Sequence, residues 1–215
     1  MLVRHMVMTA VILGLFAVIG TGLVAVTFSN TEQRIAQNDL EALLRSLHAL
    51  VPPDMHDNDL HHDTITVTSS ELLGTNKPVT VYRARKDGKA VAAILTPVAP
   101  DGYNGDIKLL VAIRQDGTLL GVRVVAHKET PGLGDNIDLS RSDWIKSFDD
   151  KSLGNPGGLG WRVVKDGGIF DQFTGATITP RAVVKAVHNT LKFYELNKTT
   201  LFKPNQKTKD KTDGE

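Results

Sequence analysis

From Met6 to Phe28 the chain reads MVMTAVILGLFAVIGTGLVAVTF, without one charged side chain. As an α-helix, rising about 1.5 Å per residue, this run would reach roughly 34 Å, enough to cross a hydrocarbon core of about 30 Å. Arg4 and the free N-terminal amine precede it, whereas Glu32, Arg34, Asp39 and Glu41 follow. The positive excess therefore lies on the N-terminal side, which favours a cytoplasmic N-terminus and an exported body. A cleaved signal peptide would have a shorter apolar region ending in small residues. Ala25-Val26-Thr27-Phe28 makes a poor cleavage site, so the run reads as an uncleaved anchor, residues 1–30.

The remaining length suffices for one domain of ordinary size. With 25 Lys+Arg against 24 Asp+Glu, no global charge directs the chain to nucleic acid or to an anionic membrane surface. Cysteine is absent, which excludes disulfides, thiol redox chemistry, iron–sulfur ligation and c-type haem attachment. A redox role would have to rest on a cofactor that needs no sulfur.

After the anchor, Ile35, Leu40, Leu43, Leu44, Leu47 and Leu50 fall at near-helical spacing until Val51-Pro52-Pro53 stops the run. Residues 31–60 thus read as a linker helix and loop. From about residue 64 the period changes to two, predicting strands at 64–68, 79–85, 90–98, 107–114 and 119–127, with Asp87-Gly88 and Asp116-Gly117 as hairpin turns. Glycine-rich segments enclose a short helix near Arg141–Phe148, and 161–167 reads as one more strand. Val183, Ala186, Val187, Thr190, Leu191 and Tyr194 lie on one face of a C-terminal helix. The end of the chain, 198–215, is polar and expected to be disordered.

Several features invite chemistry without the spacing it needs. The segment 54–63, DMHDNDLHHD, is rich in histidine and aspartate but lacks a His-x3-His pair or a calcium-loop pattern, and its composition is that of a solvated loop. No metal site is expected. A threonine or serine hydrolase would need a base; His127 and His188 are available, but the G-x-S-x-G elbow is missing. Pro131-Gly132-Leu133-Gly134-Asp135 lacks the Lys-Ser/Thr ending of a nucleotide-binding loop.

The informative stretch is 171–180, DQFTGATITP. Thr179 reads as an N-cap and Pro180 as the first helical residue, where a missing N–H costs nothing. Thr177 then stands beside the positive end of a helix, a setting that suits a phosphate, and Gly175 and Ala176 leave room for a bulky group. From these features alone, a capping turn with small residues for close packing accounts for the stretch at least as well.

Asp171-x-x-Thr174-Gly175-Ala176-Thr177 resembles the flavinylation motif of the FMN-binding domain family. With the single anchor, the segments 99–113 (APDGYNGDIKLLVAI), 127–138 (HKETPGLGDNID) and 171–187 resemble the RnfG/RsxG family, the G component of Rnf (Rsx) electron transport complexes. The C component of the sodium-translocating NADH:quinone reductase is a related family. The resemblance runs to about residue 196. It implies an α+β fold, with an N-terminal transmembrane helix followed by an antiparallel-sheet FMN-binding domain at 61–197 and flanking helices. It implies FMN attached covalently by a phosphoester to Thr177, with Asp171, Thr174, Gly175 and Ala176 completing the recognition sequence of a flavin transferase that takes FMN from FAD with magnesium. Glu129, Thr130, Gly132, Leu133 and Gly134 would form a loop facing the flavin. Trp161, Phe170 and Phe173 could flank the ring, though aromatics in such places more often belong to a core.

The implied role is that of an electron-carrying station, without catalysis of its own, in a complex coupling NADH/ferredoxin-type electron transfer to ion movement. Its partners would be the other subunits of that complex, and its place the bacterial inner membrane, with the FMN domain periplasmic. Two readings stand beside this one: a membrane-tethered interaction module without cofactor, and an exported hydrolase with a threonine nucleophile.

Overall fold

The computed structural model describes residues 2–203, apart from the side chain of Gln33. The chain divides into two units, 1–44 and 45–215. Helix α1, Leu2–Leu50, belongs mostly to the first. Its most apolar window has a mean hydropathy of 2.4, and none of that window is buried. The expected anchor and linker helix are one unbroken α-helix, because nothing between Phe28 and Leu50 interrupts it; Pro52 and Pro53 follow its end.

The second unit is built on a six-stranded antiparallel sheet: β1 (Thr64–Ser69), β2 (Thr75–Lys86), β3 (Lys89–Leu95), β4 (Val98–Ala99), β5 (Ile107–Arg114) and β6 (Leu119–Ala126). It runs as a meander, with β2 between β1 and β3, and with β5 pairing β3 and the short β4 on one edge and β6 on the other. Both expected hairpins are present. Asp87 and Gly88 take φ of 50° and 73°, the left-handed pair that matches strand twist in a two-residue turn. At the second hairpin the Asp116 carboxylate accepts from Thr118 N–H at 2.8 Å.

After the one-turn helix α2 (Ser70–Leu73), the remaining long element is α3, Ile178–Leu201. Its stripe of Val183, Val187, Leu191 and Tyr194 is buried with Val81, Leu95, Leu109, Val111 and Ile113 of the sheet in a single core. The expected domain limit at 197 falls inside this helix. Leu201 is buried, and the rest of the expected tail, from residue 204, lies outside the described residues.

Two further expectations are corrected. Residues 161–167 form no strand; a single bridge joins Val163 to Phe170, and Val164–Asp166 is a 3-10 turn. Glycines at 167 and 168 reverse the chain there, Gly167 at φ 83°. The loop 54–63 is solvated only in part, with Asp54, Asp57, Asp59 and His62 exposed. Leu60 is buried, and Asp63 is bonded by the buried Arg83, from Nε at 2.7 Å and also from Nη2, and by Arg85 Nε at 2.8 Å. Arg83 and Arg85 in turn donate to the carbonyls of Lys203 and Phe202, at 2.7 and 3.1 Å, which fixes the end of α3. Among the described residues no acidic, histidine or cysteine group gathers in a way that could hold a metal ion.

Candidate functional site

Gly175, at φ 83°, turns the chain into α3, and Thr177 occupies the N-cap position with helical backbone angles of −74° and −26°. Its side chain makes no capping hydrogen bond. The expected cap, Thr179, is instead within the first turn and fully buried, with its hydroxyl donating to the carboxylate of Glu129. A buried carboxylate in reach outcompetes the local capping geometry, because it satisfies two buried polar groups at once. Pro180 stands a residue further on, still in the turn whose N–H groups have no intrahelical partner.

Glu129 organises the floor of this region. It is 4% exposed, and it also accepts from the backbone N–H of Asn104 at 3.0 Å. The Asn104 side-chain amide donates to Thr130 Oγ1 at 3.2 Å, and Thr130 O accepts from the N–H groups of Leu133 and Gly134 at 3.1 Å each. Gly134 is required by proximity. A Cβ there would stand 2.9 Å from Glu129 Oε2 and 2.9 Å from Thr179 Oγ1.

Around these residues opens a cavity of about 370 Å³ lined by Tyr103, by Glu129, Thr130, Leu133 and Gly134 of the loop, and by residues 175–179. Of the residues expected to act here, Glu129, Thr130, Leu133, Gly134, Gly175, Ala176 and Thr177 line it. Gly132 does not; it forms the turn of the loop at φ 78°. Asp171 and Thr174 are exposed and off the cavity wall, and the Asp171 carbonyl accepts from the indole N–H of Trp144 at 2.8 Å. Tyr103 and Ile178 are lining residues that the sequence does not single out, and Thr179, expected only as a cap, is a third. An aromatic between two glycines in DGYNGD was the available signal for Tyr103.

Trp161 and Phe170 are core residues, with rings packed on Phe148 at 6.3 and 4.6 Å between centroids. Phe173 packs edge-on to Trp144 and is likewise off the cavity wall. The histidines are also elsewhere. His127 Nδ1 accepts from Glu129 N–H at 3.0 Å, so its Nε2 carries the proton and donates to Asp138 at 2.9 Å. His188 lies flat on Trp161, 5.3 Å away and 4° from parallel. Neither lines the cavity with Thr177. Neither histidine therefore stands beside Thr177 as a base.

Burial, and secondarily the nearby Lys192, push His188 down to about 4. The unfolded chain therefore takes up a proton that the folded one refuses, and stability is lost as pH falls from about 6.5 toward 4. Chemical denaturation of wild type and His188→Gln across that window is expected to give a shallower pH slope for the variant.

Replacing Glu129 by alanine leaves the Thr179 hydroxyl and the Asn104 N–H without their acceptor. Thr179 is fully buried and Asn104 is exposed, so the hydroxyl carries the penalty while water can replace the acceptor of the N–H, and a loss of about 1–3 kcal/mol is expected in urea unfolding.

A hydroxyl free of capping duty, a helix start with unpaired N–H groups and a glycine-lined cavity describe a pocket suited to a phosphorylated cofactor. Residues 102–192 match the model of the FMN-binding domain, which defines the class of the domain. Residues 1–50 match the RnfG N-terminal region. Along its length the chain is 52% identical, over 203 residues, to the G component of the ion-translocating oxidoreductase complex of Pseudomonas aeruginosa, covering 94% of this chain and 95% of that one. It is 50% identical over 191 residues to the protein of the same description from Pseudoalteromonas atlantica, covering 89% of each. With that of Vibrio cholerae it shares 49% over 182 residues, 85% of this chain and 87% of the other. The chain belongs to the RnfG family, the G components of ion-translocating oxidoreductase complexes.

Proposed function

We propose that this chain is the electron-carrying flavoprotein component of an ion-translocating membrane complex, with FMN joined to Thr177 by a phosphoester. The observation that carries this reading is the position of Thr177: it lines a 370 Å³ cavity with an uncommitted hydroxyl, at the start of a 24-residue helix. The residues fit the group. The free N–H groups of the first turn of α3 would hold the remaining phosphate charge, worth up to about 1–2 kcal/mol. Tyr103, Leu133 and Ile178 would bound the ring system, and Glu129 would keep the loop and the helix start in register. The cavity volume lies within the range of about 300–1,000 Å³ usual for cofactor sites.

Bound FMN would supply one- and two-electron redox chemistry, with the protein setting potential and distance. A threonine hydroxyl is a weak nucleophile without activation, so attachment requires a flavin transferase. Asp171 and Thr174, exposed and off the cavity wall, are the motif positions open to such an enzyme.

Helix α1 would span the bacterial inner membrane with the N-terminus cytoplasmic and the FMN domain periplasmic, beside the other subunits of the complex. Tethering raises the effective concentration of the domain at those partners without a large interface. Intact-mass spectrometry of the chain co-produced with a flavin transferase tests the reading. The added mass of FMN less water is expected on the wild type and absent from Thr177→Ala; an unmodified wild type beside an active transferase would sink it.

A further inference from the structure

Away from the cavity, the loop from Gly158 to Ile169 exposes three large apolar side chains, Leu159 at 73%, Val164 at 54% and Ile169 at 49%. It is not a slack loop. Ile169 N–H donates to Gly160 O at 3.2 Å, Phe170 N–H to Arg162 O at 3.2 Å and Val164 N–H to Phe170 O at 2.8 Å. The two arms pack so closely that a Cβ on Gly168 would stand 2.0 Å from Arg162 O. Beneath them Trp161 and Phe170 are buried in the core. The fold thus holds apolar tips in water on a rigid base, which calls for an occupant.

The charges beside the tips name its chemistry. A cleft of about 400 Å³ runs from this loop to α3, lined by Arg162, Arg181, Lys185 and Asp166, with Trp161 and His188 in its wall. Asp166 is engaged by Arg181 at 2.6 and 2.7 Å, and Lys185 bonds Asp101 at 2.5 Å. Arg162 and Lys165, both exposed, stand on the apolar loop itself. Basic groups next to exposed aliphatic tips match the boundary of an anionic bilayer, where headgroup phosphates lie just outside the acyl chains. The chain also carries a helix apolar enough to cross a membrane.

We infer that the Gly158–Ile169 loop is a lipid-docking surface: Leu159, Val164 and Ile169 enter the headgroup boundary of an anionic leaflet while Arg162 and Lys165 engage phospholipid phosphates. The inference rests on the anchor part of the proposed function and not on the flavin. Near an anionic surface each basic residue raises the docked population about fivefold, so reversing two of them removes docking at moderate salt.

Cysteine is absent from the chain, which permits a clean test on the full-length protein in lipid nanodiscs. A single Leu159→Cys, labelled with an environment-sensitive fluorophore, reports on the loop; Lys89→Cys, the first residue of β3, is the control. In discs of phosphatidylglycerol and phosphatidylcholine the probe at 159 is expected to shift to the blue and to be quenched by spin-labelled lipid, while the probe at 89 is unaffected. Both signals are expected to vanish in pure phosphatidylcholine, and when Arg162→Glu and Lys165→Glu are combined, with circular dichroism of that variant unchanged. Equal signals in the two lipids, or a probe at 159 that behaves like the one at 89, would overturn the inference. So would a response that appears only when other membrane subunits are added, because the loop would then face protein. Failure of the chain to enter discs at all is read separately, from co-elution, and would overturn the anchor reading together with the docking that depends on it.

Discussion

Thr177→Ala is expected to remove FMN from the protein completely while leaving its stability within about 0.5 kcal/mol of wild type. The first effect is all-or-none because an ester needs its oxygen, and neither neighbouring threonine substitutes. Thr179, the nearest on the helix, is fully buried and committed to Glu129. Thr174 is exposed but does not line the cavity. The second effect is small because the Thr177 side chain caps nothing, so its loss resembles an ordinary surface substitution. Thr177→Ser keeps the oxygen and is expected to retain modification. In-gel flavin fluorescence after denaturation, read beside urea midpoints for the three chains, separates these outcomes. A large drop in the midpoint of the alanine chain would mean that Thr177 is a structural cap after all.

The largest loss of stability is expected from Asp63→Ala. Arg83 is 2% exposed and its guanidinium meets Asp63 and the Lys203 carbonyl. Removing the carboxylate breaks the ion pair of a buried guanidinium, which costs about 3–5 kcal/mol. For a chain of this size each kcal/mol is worth roughly 2–4 °C, so a fall on the order of 10 °C is expected in thermal unfolding. A matched Asp63→Ala, Arg83→Met chain should recover part of it, because the buried charge is then gone.

The elements that the sequence reveals well are those fixed by local rules. Strand β5 follows from the apolar run over 107–114, the two hairpins from Asp-Gly pairs, and α3 from a stripe one turn apart. The site is half legible in the same way: small residues before a helix mark the turn at 175–177, and glycines mark the loop at 132–134. What composition hides is set by distant partners. Thr179 looks like a cap until Glu129, fifty positions earlier in the chain, is folded against it. The segment 54–63 looks solvated until Asp63 meets two arginines of β2. Residues 161–167 have the apolar content of a strand, yet no strand runs beside them, and glycines fold the segment back on itself.

The two ends of α3 are fastened independently. At one end Glu129 grips Thr179; at the other, Arg83 and Arg85 hold the last carbonyls. A helix of this length, about 36 Å, secured in that manner acts as a strut. A redox group seated at its head would sit on a stationary mounting, with little nuclear rearrangement to accompany a change of charge. Any adjustment of the gap across which electrons pass would then be a movement of the domain as a whole, or of its partner, and not of the group within its seat.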